Sequence, residues 1–102
     1  MTGGTVVVSL ARAVVALDVD GGSERWRREF DGYTVGASVG GDTIYVAGEG
    51  LVGLDRSTGE WQWARSFDGA PMRAPTVTRD AVYVDASTGD HRPYTYTYRF
   101  ER

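Results

Sequence analysis

Short apolar runs recur along the chain and are broken at regular intervals by glycine and aspartate. The runs are rich in Val, Ile, Thr, Tyr and Trp, residues that fit a pleated, half-buried surface. No segment sustains the 3.6-residue apolar period of an amphipathic helix. The pattern predicts strands near 5–10, 13–18, 24–30, 34–39, 43–48, 51–55, 60–67, 74–78, 81–86 and 93–100. Alternation assigns faces. From Glu60, it puts Trp61, Trp63, Arg65 and Phe67 on one side and Gln62, Ala64 and Ser66 on the other. In the last strand, Tyr94, Tyr96, Tyr98 and Phe100 alternate with Thr95, Thr97 and Arg99.

The pattern repeats. Leu17, Asp18, Gly22, Trp26, Arg28, Phe30, Asp31 and Gly32 recur 37 residues later as Leu54, Asp55, Gly59, Trp63, Arg65, Phe67, Asp68 and Gly69. GGTVVVS at 3–9 recurs as GDTIYVA at 41–47, and SVGGDTIYVA at 38–47 as TVTRDAVYVD at 76–85, both 38 residues apart. The one-residue slips fall in turn-like stretches, where length changes cost little. Short strands in units of this size predict four-stranded propeller blades. The fold class is therefore all-β, built from antiparallel four-stranded blade repeats. About two and a half blades are expected: a partial one at 3–32, a full one at 33–69 and a partial one at 70–102. One tryptophan per unit, after a glycine turn, gives each blade a large ring to present to its neighbour. Burying such a ring contributes on the order of 2–3 kcal/mol. The arginine two residues later is placed to lie over an aromatic face.

The motif L-D-x-x-T-G-x-x-x-W resembles the repeat of PQQ-like, quinoprotein-type β-propellers. Leu54, Asp55, Thr58, Gly59 and Trp63 match it fully. Leu17, Asp18, Gly22 and Trp26 match it in part, with Gly21 where threonine is usual. The similarity covers roughly residues 3–86. In such propellers the innermost strand comes first in each blade, which implies that this chain starts at a second strand and ends inside a third blade. The segment HRPYTYTYRFER departs from the repeat where another L-D-x-x-T-G would be expected.

Known propellers close with about 4–8 blades. Two and a half cannot form a ring within one chain, and open ends expose apolar faces and strand edges. Three arrangements answer this: part of a longer propeller, a ring assembled from copies of the chain, or a small open sheet structure. The first is preferred. The expected neighbours are thus other propeller blades or copies of itself, with a protein partner besides.

Charge and composition narrow the function. The net charge is −3, and all 11 basic residues are arginine. A nucleic-acid partner is not expected, because such binders carry a basic face. No apolar run approaches the ~18 residues of a membrane helix. The opening MTGGTVVVSLARAVVALDVD lacks a basic n-region and is interrupted by Arg12, so it is not a signal peptide. If these residues are the whole protein, a cytoplasmic location is expected. Cysteine is absent, which removes disulfides, thiolate metal sites and a cysteine nucleophile.

No catalytic, cofactor-binding or metal residue is assigned. GEGLVG at 48–53 matches G-x-G-x-x-G, but LVGLDRSTGE follows where a dinucleotide site needs a helix, so a tight hairpin turn is expected. DVDGGSE at 18–24 lacks the third ligand of a calcium loop, and Asp18 and Asp55 are expected to accept backbone N–H groups in a turn. His91 has no partner histidine. Ser87, Asp90 and His91 lie too close in one loop to form a triad. The tyrosine-rich tail reads as a half-buried strand.

The resemblance implies two functional classes. The leading one is a non-catalytic interaction or scaffold module, like cofactor-free members such as outer-membrane assembly lipoproteins. The alternative is part of a PQQ-dependent oxidoreductase, whose PQQ and calcium would be held by residues outside the repeat motif and outside this chain. A ligand-sensing propeller domain is a third reading.

Overall fold

The structure, a computed structural model, describes residues 5–67, 69–71, 73–87 and 95–102. The described residues form strands and turns, with no helix among them. The strands are β1 (Thr5–Leu10), β2 (Ala13–Asp18), β3 (Glu24–Glu29), β4 (Gly36–Gly40), β5 (Thr43–Ala47) and β6 (Leu51–Asp55). They continue with β7 (Trp61–Arg65), β8 (Ala70–Pro71), β9 (Thr76–Val77), β10 (Ala81–Ser87) and β11 (Thr95–Glu101).

Three antiparallel sheets result, ordered β1-β2-β3, β4-β5-β6-β7 and β11-β10-β8, with β9 also pairing to β10. None of the three closes on itself. The predicted strand at 74–78 is the two-residue β9, and a further short piece that the pattern did not predict, β8, lies along the same edge of β10. Pro71 and Pro75 flank the break between the two. Proline has no N–H to give to a ladder, and an edge tolerates that loss.

The registers expose an equivalence the sequence hides. Ile44 pairs with Leu54 in the second sheet, and Val82 pairs with Phe100 in the third. The Arg56 N–H donates to the Asp42 carbonyl at 2.9 Å, and the Arg102 N–H donates to the Asp80 carbonyl at 3.1 Å. Phe100, Glu101 and Arg102 therefore stand where Leu54, Asp55 and Arg56 stand. The divergent tail is the third strand of its sheet, and it carries F-E in place of L-D. Residues 88–94, which lie between β10 and β11, are outside the described residues, as are the predicted Asp90, His91 and Tyr94. Asp68 is outside them too.

The core is two apolar layers between the sheets. Val14 meets Ile44, Val46 and Leu54 across the first gap, with Val7, Trp26, Phe30, Ala37 and Val52 around them. Tyr45 and Leu51 meet Val82 and Val84 across the second, with Trp63, Phe67, Val77 and Phe100 around them. Ile44, Leu51 and Leu54 are fully buried. Each such side chain contributes about 1.5–3 kcal/mol. The middle sheet is thus apolar on both faces.

A β-bulge corrects the predicted faces. The β6–β7 register pairs Gly53 with Trp63 and Leu54 with Trp61, so Gln62 is an extra residue opposite no partner. The β2–β3 register shifts at the same place, pairing Ala16 with Trp26 and Leu17 with Glu24 around Arg25. One extra residue resets the alternation. Trp61 and Trp63 consequently face opposite sides of the sheet. Trp61 meets Phe30 at the first gap, with ring centroids 5.6 Å apart, and Trp63 meets Tyr45 at the second, at 5.8 Å.

Leu17 and Leu54 occupy equivalent places, but among the described residues only Leu54 has a sheet packed over it. Leu54→Ala should destabilise by about 3–4 kcal/mol and Leu17→Ala by roughly half that. Urea unfolding of the two variants checks this, and equal losses would mean that the first sheet is covered as fully as the second.

Candidate interaction surface

The repeat motif builds the same turn twice. In the first copy the Gly22 N–H donates to the Asp18 carbonyl at 2.7 Å, and the Asp18 N–H donates to the Ser23 carbonyl at 2.8 Å. In the second, the Gly59 N–H donates to the Asp55 carbonyl at 2.7 Å, and the Asp55 N–H to the Glu60 carbonyl at 2.8 Å. Both glycines have positive φ, 70° and 78°, which an L side chain rarely adopts. The aspartates tie the turns from within. Asp18 Oδ1 accepts from the Asp20 N–H, and Asp55 Oδ1 accepts from the N–H groups of Ser57 and Thr58. Thr58 Oγ1 accepts from the Glu60 N–H, a bond that Gly21 cannot offer in the first copy.

The second turn is a seat for the first tryptophan. The Trp26 indole N–H donates to the Arg56 carbonyl at 2.9 Å, and Arg28 Nε donates to the Gly59 carbonyl at 2.8 Å. A Cβ on Gly59 would lie 2.5 Å from the Trp26 ring. Gly59 therefore serves twice, as the positive-φ residue of its own turn and as the floor under a neighbour's indole.

Trp63 is held differently. Its ring lies back over Gly53 of its own sheet, where a Cβ would come within 2.4 Å. Arg65, the counterpart of Arg28, lies over that ring with its guanidinium 5.3 Å from the centroid. Arg102 Nε donates to the Tyr45 hydroxyl at 3.0 Å across the second gap. Thr43, Tyr45, Trp63, Arg65, Phe100 and Arg102 line an open groove there.

A second groove opens between the first two sheets. Phe30 and the half-exposed Trp61 form its apolar wall, and the acidic residues Asp31 and Glu49 also line it. The backbone of Gly32, Gly48 and Gly50 forms its floor. Tyr33 stands beside it 70% exposed, beneath the Arg12 guanidinium at 5.5 Å. Arg12 also donates to the Asp31 carbonyl, which fixes the 30–34 crossover between sheets.

A family model described as outer membrane protein assembly factor BamB, of the PQQ-like repeat type, matches residues 10–97. The chain belongs to this family. Among solved structures it is similar to BamB from Moraxella catarrhalis, with a TM-score of 0.71 and 21% identity. That superposition covers 91% of this chain and 34% of the other, so the chain spans about a third of that protein's length. No curated protein matches. The three sheets are propeller blades, and the fold is all-β as the strand pattern predicts.

The other sequence motifs resolve within this frame. GEGLVG is the hairpin between β5 and β6, closed by the Gly48 N–H donating to the Gly50 carbonyl at 2.9 Å. DVDGGSE is the first repeat turn, where Asp18 also meets Arg25 at 3.7 Å. Ser87 ends β10. Among the described residues no three His, Cys, Asp or Glu side chains gather as metal ligands, and no helix is long and apolar enough to cross a membrane. The acid-lined groove was not legible in the sequence. Phe30 and Trp61 are 31 residues apart, and the bulge had to turn Trp61 before they could meet.

Gly22 and Gly59 share one conformation, but among the described residues only Gly59 lies under a ring. Gly22→Ala should cost about 1 kcal/mol from backbone strain alone. Gly59→Ala should cost about 2–4 kcal/mol, because the methyl group also displaces Trp26. Chemical denaturation separates them, and matching losses would remove the indole seat.

Proposed function

We propose that this chain is a non-catalytic propeller segment that serves as a protein-interaction or scaffold module. The observation that carries the reading is the groove between the first two blades. Trp61 keeps half of its surface in water beside Phe30, in a groove that Asp31 and Glu49 also line. A large indole left exposed within an otherwise buried stack is a common anchor in protein recognition. The acids select the partner's chemistry. An extended segment could lay an apolar side chain against Phe30 and Trp61 while an arginine or lysine meets Asp31 or Glu49. Membership in a family described by an assembly factor agrees with such a role.

A displayed library of random 12-residue peptides, selected on the immobilised chain, tests the reading. Enriched peptides should carry a basic residue next to an apolar one, and their binding should weaken as salt rises. Trp61→Ala should lower affinity about 30-fold, or roughly 2 kcal/mol, with Glu49→Gln costing about threefold. Absence of enrichment, or binding indifferent to Trp61→Ala, would refute the groove. Stoichiometric uptake of PQQ and calcium by the chain would replace the scaffold reading with the oxidoreductase one.

A further inference from the structure

Among the described residues, three aromatic rings carry a guanidinium over their face. Arg65 lies over Trp63 at 5.3 Å, Arg102 over Tyr45 at 5.7 Å and Arg12 over Tyr33 at 5.5 Å. Trp26 has no such cation, but its ring is covered by the Arg56–Gly59 turn. Trp61 has neither. Its ring meets Phe30 at 5.6 Å with a 45° tilt, half of the residue stays exposed, and no cation among the described residues lies over it. The bulge explains the difference. Arg65 follows Trp63 by two residues on one face, whereas the residue two places after Trp61 is Trp63, turned to the other side.

The groove beside Trp61 also holds acids without a cation. Asp18, Glu24, Asp85 and Glu101 each make an ion pair, but among the described residues Asp31 and Glu49 make none. Glu49 has a fixed place. A Cβ on Gly32 would come within 2.6 Å of its carboxyl carbon, so the side chain lies directly over the Gly32 backbone. Arg12 stands at the edge, with its guanidinium spent on the Tyr33 ring and the Asp31 carbonyl. Two carboxylates against one guanidinium leave the groove negative.

An open indole face next to unpaired carboxylates specifies a cation of a particular shape. It needs a flat, weakly hydrated face for the ring and N–H donors at its edge for the acids. A guanidinium has both, since it stacks on aromatic faces and bonds a carboxylate in its own plane. A lysine ammonium is a compact, strongly hydrated charge with no face to lay on an indole. An aliphatic side chain would cover Trp61 and leave the acids unanswered.

We infer that the groove is a receptor for one arginine side chain of a protein partner, and that it selects arginine over lysine. This deepens the interaction reading above and rests on it. The guanidinium lies over Trp61 as Arg65 lies over Trp63, and its N–H groups donate to Glu49, with Asp31 adding negative charge. The arginine stem covers Phe30, as long charged side chains cover apolar surface elsewhere. Phe30 directly follows β3 of the first sheet and Trp61 opens β7 of the second, so the receptor exists only where these two blades are stacked.

The test titrates three end-capped peptides, Ala-Ala-X-Ala-Ala with arginine, lysine or citrulline at X, into the isotope-labelled full chain. The Trp61 indole N–H and Glu49 amide signals report binding. Citrulline keeps the planar shape and removes the charge. The arginine peptide should bind about fivefold more tightly than the lysine peptide and about tenfold more tightly than the citrulline peptide. Trp61→Ala should remove the preference for arginine. Gly32→Ala should weaken the arginine peptide about threefold by pushing the Glu49 carboxylate aside. It should leave the melting temperature unchanged, because only the end of a flexible side chain has to move. Lysine binding as tightly as arginine overturns the arginine receptor and leaves a basic-peptide groove standing. A preference that survives Trp61→Ala places the site elsewhere and overturns both. Failure of all three peptides overturns the receptor, and an unenriched library alongside it removes the interaction reading as well.

Discussion

The stacking of the first two blades depends on the contact between the Trp26 indole and the Arg56–Gly59 turn. It joins two requirements that would otherwise be separate. The turn needs a glycine for its positive φ, and the ring needs a surface without a Cβ. One residue meets both. The indole N–H and the Arg28 guanidinium find carbonyl partners at the same turn, so the polar edges of the interface are satisfied while its centre stays apolar. The buried layer of Val14, Ile44, Val46 and Leu54 then packs between sheets whose spacing this contact helps to fix.

The architecture could be read from the chain because the motif recurs in register. Strand positions, the turn aspartates, the hairpin at GEGLVG and the layered all-β arrangement follow from local pattern, and local pattern is what alternation and turn chemistry encode. The faces of Trp61 and Trp63 could not be read, since an extra residue at Gln62 looks no different in sequence from a continued strand. The third strand of the last blade was hidden for another reason. Its offset from the second blade grows from 38 to 46 residues across the β10–β11 connection, and Phe-Glu replaces Leu-Asp. The Phe30–Trp61 groove depends on both the crossover and the bulge, so no short-range rule reveals it.

The same positions in successive blades serve different ends. Ala16, Gly53 and Arg99 are structural counterparts, one accommodating a tryptophan that leans across to the next turn, one lying beneath a tryptophan, and one leaving no room for it. Tyr45 and Tyr83 are counterparts too, yet one lies in the core with Arg102 across it and the other works within a polar outer face. A repeat built on one backbone thus becomes a core element or an end element through a few side chains. That is economical for a fold in which each blade touches only its neighbours.

The bulge at Arg25 and Gln62 bears on how such a repeat can change length over evolution. The β1–β2 connection is two residues, Ala11 and Arg12, and the β5–β6 connection is three, Gly48 to Gly50. An insertion or deletion there leaves every side chain on its face. The same event at the bulge would rotate one tryptophan of the pair at Trp61 and Trp63 through the sheet, emptying either a groove or a core layer at a single stroke. The first two units therefore each carry one joint where length drifts freely and another where length is held fixed.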